Sequence, residues 1–432
     1  MKYRVAWTNP DRCRHCGFCE AGILCPGEER CTGCGSCVAA CPAEAREWRE
    51  VEEDRPLVTL IIDGEPAAVP ERLTVLAALE RHGFTVSHFP GEGDLTAPCR
   101  TGGCWACAVL VNGSLKPSCI TPVQDGMVVE TAAAKLAAAP PQRLVLGFSG
   151  HMVGGVGTPW EAKASGSGWV EAACFAAGCL LRCPSCQNWE ITFRSRGEAL
   201  TSEQAAGLLT QTRQRYGVDR LAISGGESTL NRAWLVEFLR SLKALNPDPQ
   251  ARLHVDTNSV FLTPAYVKDL LAAGMTDIGA DLKGLEVATF QKISGLTDTA
   301  LAARLLGRAW DAVEFLLTNL WEKVFVGIGL PYNATLISSQ ELAAIGARLA
   351  ALRPEVQVTV LDYRPEFRRL DLVRPGLAEM LGVKRLLERV GLRKVICQTA
   401  QGHLGPLGSA GAIWGFRPCL RPGWPASKNH HT

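Results

Sequence analysis

Fifteen of the 18 cysteines fall into four tight groups, and no other feature of this 432-residue chain restricts its fold as strongly. Thiols two or three residues apart point into one small volume, so they serve either a disulfide framework or a metal site. A disulfide scaffold is short and exported. This chain is long, and its start, "MKYRVAWTNPDRCRHCGFCE", shows no apolar export segment. Metal binding in a cytoplasmic protein is the expectation. The length predicts two to four domains, and 47% hydrophobic with 20% charged residues predicts globular ones. A net charge of +2, with both signs interspersed, gives no footprint for nucleic acid or anionic lipid. The apolar run at 172–181 is too short to span a bilayer, so no membrane partner is expected.

The first group is Cys13, Cys16, Cys19 and Cys25, followed by Pro26. The second is Cys31, Cys34, Cys37 and Cys41, followed by Pro42. The second reads C-x2-C-x2-C-x3-C-P, and the pair resembles the bacterial two-cluster ferredoxins. Zinc knuckles would use separated C-x2-C pairs rather than triplets. The resemblance implies one [4Fe–4S] cluster on Cys13, Cys16, Cys19 and Cys41, and another on Cys31, Cys34, Cys37 and Cys25. Each proline is expected to start a short helix that carries the fourth ligand away. The wider gap between Cys19 and Cys25 lengthens a loop and keeps the ligand count.

The third group, Cys99, Cys104, Cys107 and Cys119, opens C-x4-C-x2-C, as plant-type [2Fe–2S] loops do. "LVTLIIDGEPAAV" predicts a hairpin turning at Asp63-Gly64, and "ERLTVLAALERHG" a helix stopped by Gly83. "CAVLVNGSLKPSC" predicts a second hairpin with Asn112-Gly113 at its tip. This order resembles a β-grasp ferredoxin, most nearly the [2Fe–2S] domains of succinate dehydrogenase and the molybdenum hydroxylases. Gly102 and Gly103 would let backbone N–H groups crowd the sulfurs.

The fourth group, Cys179, Cys183 and Cys186 in "GCLLRCPSC", has only three members. Cys174 lies in "WVEAACFAAGC", which reads as a buried strand, so it is assigned to the core, as is Cys397; Cys419 is a tail residue. Three ligands leave an open site. From here strand and helix patterns alternate, predicting a partial parallel (β/α)6 TIM-like barrel, an α/β fold. A helix and a further short strand, "RKVICQT", follow its sixth strand. The polar punctuation sits at strand ends: the triplet after the first, Gly225-Gly226-Glu227 after the second, Asp256–Asn258 after the third, and Asp281–Lys283 after the fourth. Barrel active sites are built at these ends. Asp is also common in turns after strands, so residue type alone allows Asp256 and Asp281 either role.

C-x3-C-x2-C after one strand and Gly-Gly-Glu after the next resemble the radical SAM superfamily over about residues 165–400. The resemblance implies that Cys179, Cys183 and Cys186 hold a third [4Fe–4S] cluster, whose open iron binds S-adenosylmethionine (SAM). It implies that Gly225 and Gly226 expose backbone groups to the SAM ammonium, and that Glu227 shapes that turn and accepts from the same ammonium. "CPSCQNWEI", "DTN" and "DLK" are similar to the pyruvate formate-lyase activating enzymes, which points to Asp281, Lys283 and Asp256 as SAM-site residues. Two positions depart from that group. Ser185 stands where an aromatic flanks the adenine, a place that either Trp189 or no ring fills, and Ser228 stands in place of a proline.

The expected organisation is therefore a two-[4Fe–4S] region at 1–52, a [2Fe–2S] β-grasp region at 55–131, a linker at 132–165, the barrel at 166–405 and a tail at 406–432. The glycine-rich "HMVGGVGTPW" lacks the GK[ST] ending of a phosphate loop and is assigned as loop. The expected activity is reductive cleavage of SAM to a 5′-deoxyadenosyl radical that abstracts hydrogen. The N-terminal clusters would relay electrons from an external ferredoxin- or flavodoxin-type donor. The substrate would be a glycine of a glycyl radical enzyme, or a small molecule or peptide. The competing reading is a non-catalytic electron-transfer protein on a degenerate barrel.

Overall fold

The computed structural model describes residues 1–164 and 168–406. Seven strands form one parallel sheet: Glu171–Ala176, Arg220–Gly225, Arg252–Thr257, Asp277–Asp281, Phe325–Tyr332, Gln357–Asp362 and Lys394–Thr399. That is one more than the six expected, because "RKVICQT" joins the sheet in parallel. Among the described residues no ladder links the seventh strand to the first, so the barrel is open. Gly402–Leu404 closes one edge antiparallel.

The other edge corrects the sequence reading. Part of the segment assigned as linker is a ten-residue strand, Gln142–His151, antiparallel to Glu171–Ala176. A register shift between Leu146 and Ser149, with Gly147 at φ +68°, breaks its alternation. A bulge erases the period-two signal by which strands are read.

The expected helices form with ordinary caps. Ser202–Tyr216 begins with a capping box between Thr201 and Gln204 and ends at Gly217, φ +61°. Pro264–Ala273 places its proline in the first turn behind Thr263. The helices Arg232–Leu245 and Thr299–Asn319 bury apolar stripes led by Trp234, Phe238, Trp310 and Val313 against the sheet.

In closed barrels, layers of branched side chains fill the bore. Here the strands supply glycines instead, Gly279, Gly327 and Gly329. A methyl group on Gly327 would overlap the carbonyl oxygen of Val156, and one on Gly329 would lie 3.1 Å from its side chain. The glycine-rich loop assigned from sequence therefore enters the bore. Gln357 pins it by accepting from Trp160 N at 2.7 Å and donating to Thr158 O at 2.8 Å.

The N-terminal region pairs Lys2–Thr8 with Arg46–Glu52 and carries both cysteine groups between them. Its helices, Phe18–Ala21 and Ser36–Ala40, precede the fourth cysteines rather than following the prolines. Gly17 and Gly35, at φ +72° and +76°, turn the chain into them, so helix initiation falls to the glycines. In the next region, Leu57–Ile62 and Glu65–Pro70 form the first hairpin and Ala108–Val111 and Ser114–Pro117 the second. Val128–Glu130 lies between them, parallel to the first strand. Both turns fall where predicted, with Asp63 and Asn112 at φ +49° and +48°.

Arg143, on the strand hidden from sequence reading, is fully buried. Its guanidinium donates to the carbonyls of Ala177, Glu227 and Ser228 and ties the edge strand to two site loops. Arg143→Met removes all three bonds and is expected to cost about 3 kcal/mol or more, read as a fall of several degrees in the anaerobic thermal midpoint.

Candidate functional site

The loop Gly178–Cys186 leaves the first parallel strand and turns back over the strand ends. Gly178, at φ +88°, starts the reversal. Cys179, Cys183 and Cys186 line a cleft of about 790 Å³, including its open mouth. Gly225, Gly226, Asp256, Asp281 and Lys283 line the same cleft, so the strand-end motifs named from sequence are brought together. Asn258, Tyr363, Asn188 and Phe193 complete it, and Tyr363 comes from a strand end not anticipated.

Glu227 is fully buried and lies outside the lining. Its carboxylate accepts from Thr229 N at 3.0 Å, Thr229 Oγ1 at 2.6 Å, Thr257 Oγ1 at 2.6 Å and Asn258 N at 2.7 Å. It locks the end of the second strand to the end of the third. Gly226 is required by packing, since a methyl group there would overlap Gly178 O. Trp189 also lies outside the cleft. It stacks on Phe367 at 5.2 Å and tilts against Phe18 at 4.8 Å. The rings in the cleft are Phe193 and Tyr363. Ser185 is buried, and Ser228 Oγ donates to Asp256 O at 2.6 Å.

The residues fit an iron–sulfur cluster by donor chemistry. Burial pushes the Cys186 thiol up to about 12 and raises Cys179 and Cys183 as well. Three such thiols ionise only if a cationic group is bound among them. Asn258 Nδ2 lies 3.6 Å from Cys179 Sγ, and Thr192 Oγ1 lies 3.7 Å from Cys186 Sγ. Cys174 is buried in its strand and does not line the cleft. Among the described residues, no three His, Cys, Asp or Glu side chains are grouped as ligands of a single metal ion. The fit rests on the cleft and its sulfurs.

Charge in the cleft is balanced around Lys283. Burial would depress its ammonium, but Tyr363, Cys183 and Asp281 hold it above the ordinary lysine value. Burial pushes Asp281 up to about 6, against the opposing pull of Lys283, whose Nζ is 3.9 Å away. A carboxylate acceptor beside an ammonium donor suits a zwitterionic ligand.

Two further cysteine sites abut this loop. Cys99, Cys104, Cys107 and Cys119 are all at most 4% exposed. A methyl group on Gly178 would stand 2.8 Å from Cys104 N, and one on Gly103 would stand 2.7 Å from Ala177 Cβ. Arg182, within the triplet itself, donates to Cys99 O at 2.6 Å and also to the carbonyls of Cys179, Leu180 and Leu181. On the opposite side, Cys13, Cys16, Cys19 and Cys41 line a second cleft, about 970 Å³ with its mouth, together with Cys37. Cys25 is held down to about 6, chiefly by a hydrogen bond from Cys37, so these two thiols are neighbours. Arg368 joins this region to the triplet. Its backbone N–H donates to Pro184 O at 2.9 Å, and its guanidinium caps the helix Ser36–Ala40 at Val38 O, Ala39 O and Cys41 O. The 17 described cysteines are all free of disulfides; Cys419 and the tail, apart from Pro406, lie outside the described residues.

Comparison with known proteins agrees with this geometry. Residues 174–307 match the family model of the radical SAM superfamily. Residues 55–134 match a 2Fe-2S iron-sulfur cluster binding domain, and 27–47 match a 4Fe-4S binding domain. The chain therefore carries a radical SAM domain preceded by two kinds of ferredoxin-type domain. It is 41% identical over 66 residues to an uncharacterized iron-sulfur protein of Methanocaldococcus jannaschii, covering 15% of this chain and 13% of that one. It is 30% identical over 119 residues to GTP 3′,8-cyclase of Gloeobacter violaceus, covering 27% of this chain and 35% of the cyclase. Among solved structures, Streptococcus suis SuiB bound to S-adenosylmethionine aligns with a TM-score of 0.36 at 15% identity, over 50% of this chain and 43% of that one. The chain thus spans about a third or less of the length of these two curated relatives. Among the described residues, no helix is long and apolar enough to cross a membrane.

Gly178→Ala is expected to drive both cysteine loops apart, lowering [2Fe–2S] content measured by iron, sulfide and electron paramagnetic resonance. Gly113→Ala is the control. Its φ is +77° but a methyl group there meets nothing within 4 Å, so it should cost only about 1 kcal/mol of backbone strain.

Proposed function

We propose that the protein reductively cleaves SAM to a 5′-deoxyadenosyl radical for hydrogen abstraction, with electrons reaching the cleft from docked ferredoxin-type domains. The observation that carries this reading is the convergence of Cys179, Cys183, Cys186, Gly225, Gly226, Asp256, Asp281 and Lys283 on one cleft. When bound, the open cluster on Cys179, Cys183 and Cys186 supplies coordination for the SAM amino acid group and one electron to its sulfonium. Lys283 would hold the SAM carboxylate as an ammonium donor, and the Gly225-Gly226 backbone would accept from the amino group. Phe193 and Tyr363 would offer apolar walls. Arg182 and Glu227 hold the lining loops in place before any ligand arrives.

The two docking contacts suggest a division of labour. Cys16 is exposed and Cys13 half-buried, so the N-terminal pair of [4Fe–4S] sites faces an external donor of ferredoxin or flavodoxin type. Tunnelling needs short gaps, and both the Arg368 and the Gly178–Cys104 contacts bring cluster loops to the triplet. Similarity to the activating enzymes at Asp256, Asp281 and Lys283 makes a glycine C–H of a partner protein one hydrogen donor to test, and the departures at Ser185 and Ser228 weigh against it. A bound peptide or small molecule is the other, on an equal footing. The similarity to GTP 3′,8-cyclase does not carry that enzyme's substrate to this chain.

Anaerobic, dithionite-reduced wild type given SAM should form 5′-deoxyadenosine, and Cys183→Ala should form none while keeping its [2Fe–2S] signal. Product from Cys183→Ala would refute the assignment of the open site. Asp281→Asn should weaken SAM binding by about tenfold, the scale of one charge-assisted hydrogen bond, measured by equilibrium binding to the oxidised holoprotein. Cys16→Ser should leave dithionite-driven cleavage within about twofold of wild type and slow cleavage driven by a protein donor by more than about tenfold.

A further inference from the structure

A line of four ionisable side chains runs through the bore of the barrel, and the activity proposed above uses only its last member. His151 Nδ1 is 2.9 Å from Glu171 Oε1. Glu171 Oε2 is 3.5 Å from His254 Nδ1, and Thr158 Oγ1 bridges this gap, 2.8 Å from the carboxylate and 3.5 Å from the ring. His254 Nε2 is 2.8 Å from Asp256 Oδ1. The side chains of His254 and Glu171 are 0% and 1% exposed, His151 at one end is 30% exposed, and Asp256 at the other lines the cleft. The line therefore connects the exterior to the site.

The surroundings are shaped for it. A methyl group on Gly155 would overlap the Asp256 carboxylate, one on Gly157 would stand 2.6 Å from His254 Nε2, and one on Gly279 would overlap Asp256 Oδ1. Ordinary packing of the bore would be served as well by apolar side chains, which spare the cost of burying charge. Each member alternates with one of the opposite acid–base type, and each can both take and give a proton. Burial opposes charge on His254, but Asp256 and Glu171 raise it to about 9, so it is protonated at neutral pH. Burial likewise opposes charge on Glu171, but His151 and His254 hold it well below the usual carboxylate range. The other charged groups facing the line are Lys163, held down to about 8 by burial, Arg220, which is paired with Asp277, and Asp281 with Lys283. Burial, with Lys163 and His151 adding to it, holds His403 down to about 3.

We propose that His151, Glu171 and His254 form a proton path through the barrel, which removes the histidinium facing Asp256 when the sulfonium of SAM enters the cleft. This rests on the SAM reading above. The step moves protons only. His254 passes its Nδ1 proton to Glu171 Oε2, the carboxyl turns to present that same proton to His151 Nδ1, and His151, starting as the Nε2–H tautomer, accepts it and releases its Nε2 proton to water. One proton reaches solvent, no electron moves, and the reverse sequence restores the line when the ligand leaves. Asp256 is then free to face the ligand, and two cations never share one carboxylate.

The test is proton release on SAM binding to anaerobic oxidised holoprotein at pH 8. It is read by calorimetry in two buffers of different ionisation enthalpy and by stopped flow with a pH indicator. Any proton shed by the SAM ammonium itself is common to wild type and variants, so the difference between them is the readout. Wild type should release about one proton more per SAM than His254→Gln. Equal release, with SAM bound in both, overturns the proposal. His151→Gln should leave the extent unchanged and slow release by at least about tenfold; release at the wild-type rate overturns the path. This second variant decides the matter if His254→Gln fails to fold. Absence of SAM binding to wild type would instead refute the SAM reading.

Discussion

The backbone approach between Gly178 and Cys104 is the contact on which the rest of the site depends. Only glycine fits at residue 178, because the chain must reverse at φ +88° and any Cβ would meet the [2Fe–2S] loop. The reversal sets where Cys179 leaves the strand and therefore where the triplet stands over the cleft. The same contact makes the ferredoxin-type domain part of the wall of the radical SAM domain. Arg182 reinforces it by sharing one guanidinium between four carbonyls of the two loops.

Charge is handled by local pairing throughout. Arg143 binds three backbone carbonyls, including that of Glu227, and the Glu227 carboxylate collects four donors. Neither touches the cleft, and both fix the loops that do. Lys283 and Asp281 face the cleft directly. A preorganised polar site of this kind stabilises developing charge without rearranging when ligand binds. The histidine–carboxylate line below Asp256 extends the same logic to the far end of the barrel.

Much of this was legible in the sequence. Cysteine spacing and the motifs at strand ends mark the cleft residues without reference to packing, because ligand geometry fixes their separation along the chain. Turn chemistry at Asp63-Gly64 and Asn112-Gly113 located both hairpins. The edge strand Gln142–His151 was not legible, because its bulge destroys alternation, and Arg143 went unnoticed with it. Nothing local in "HMVGGVGTPW" says that its glycine run will enter the bore; the matching glycines, Gly279, Gly327 and Gly329, lie over a hundred residues away. Motif analogy leaves Trp189 either beside the ligand or in loop packing, and only Phe18 and Phe367, distant in sequence, decide it by holding the ring at the interface with the N-terminal region.

The most direct measurement is electron–nuclear double resonance on the reduced protein with SAM carrying a ¹⁵N-labelled amino group. Coordination at the site on Cys179, Cys183 and Cys186 should give a ¹⁵N hyperfine coupling that disappears in Cys183→Ala. Lack of coupling in wild type, with the cluster present and SAM in excess, would contradict the account.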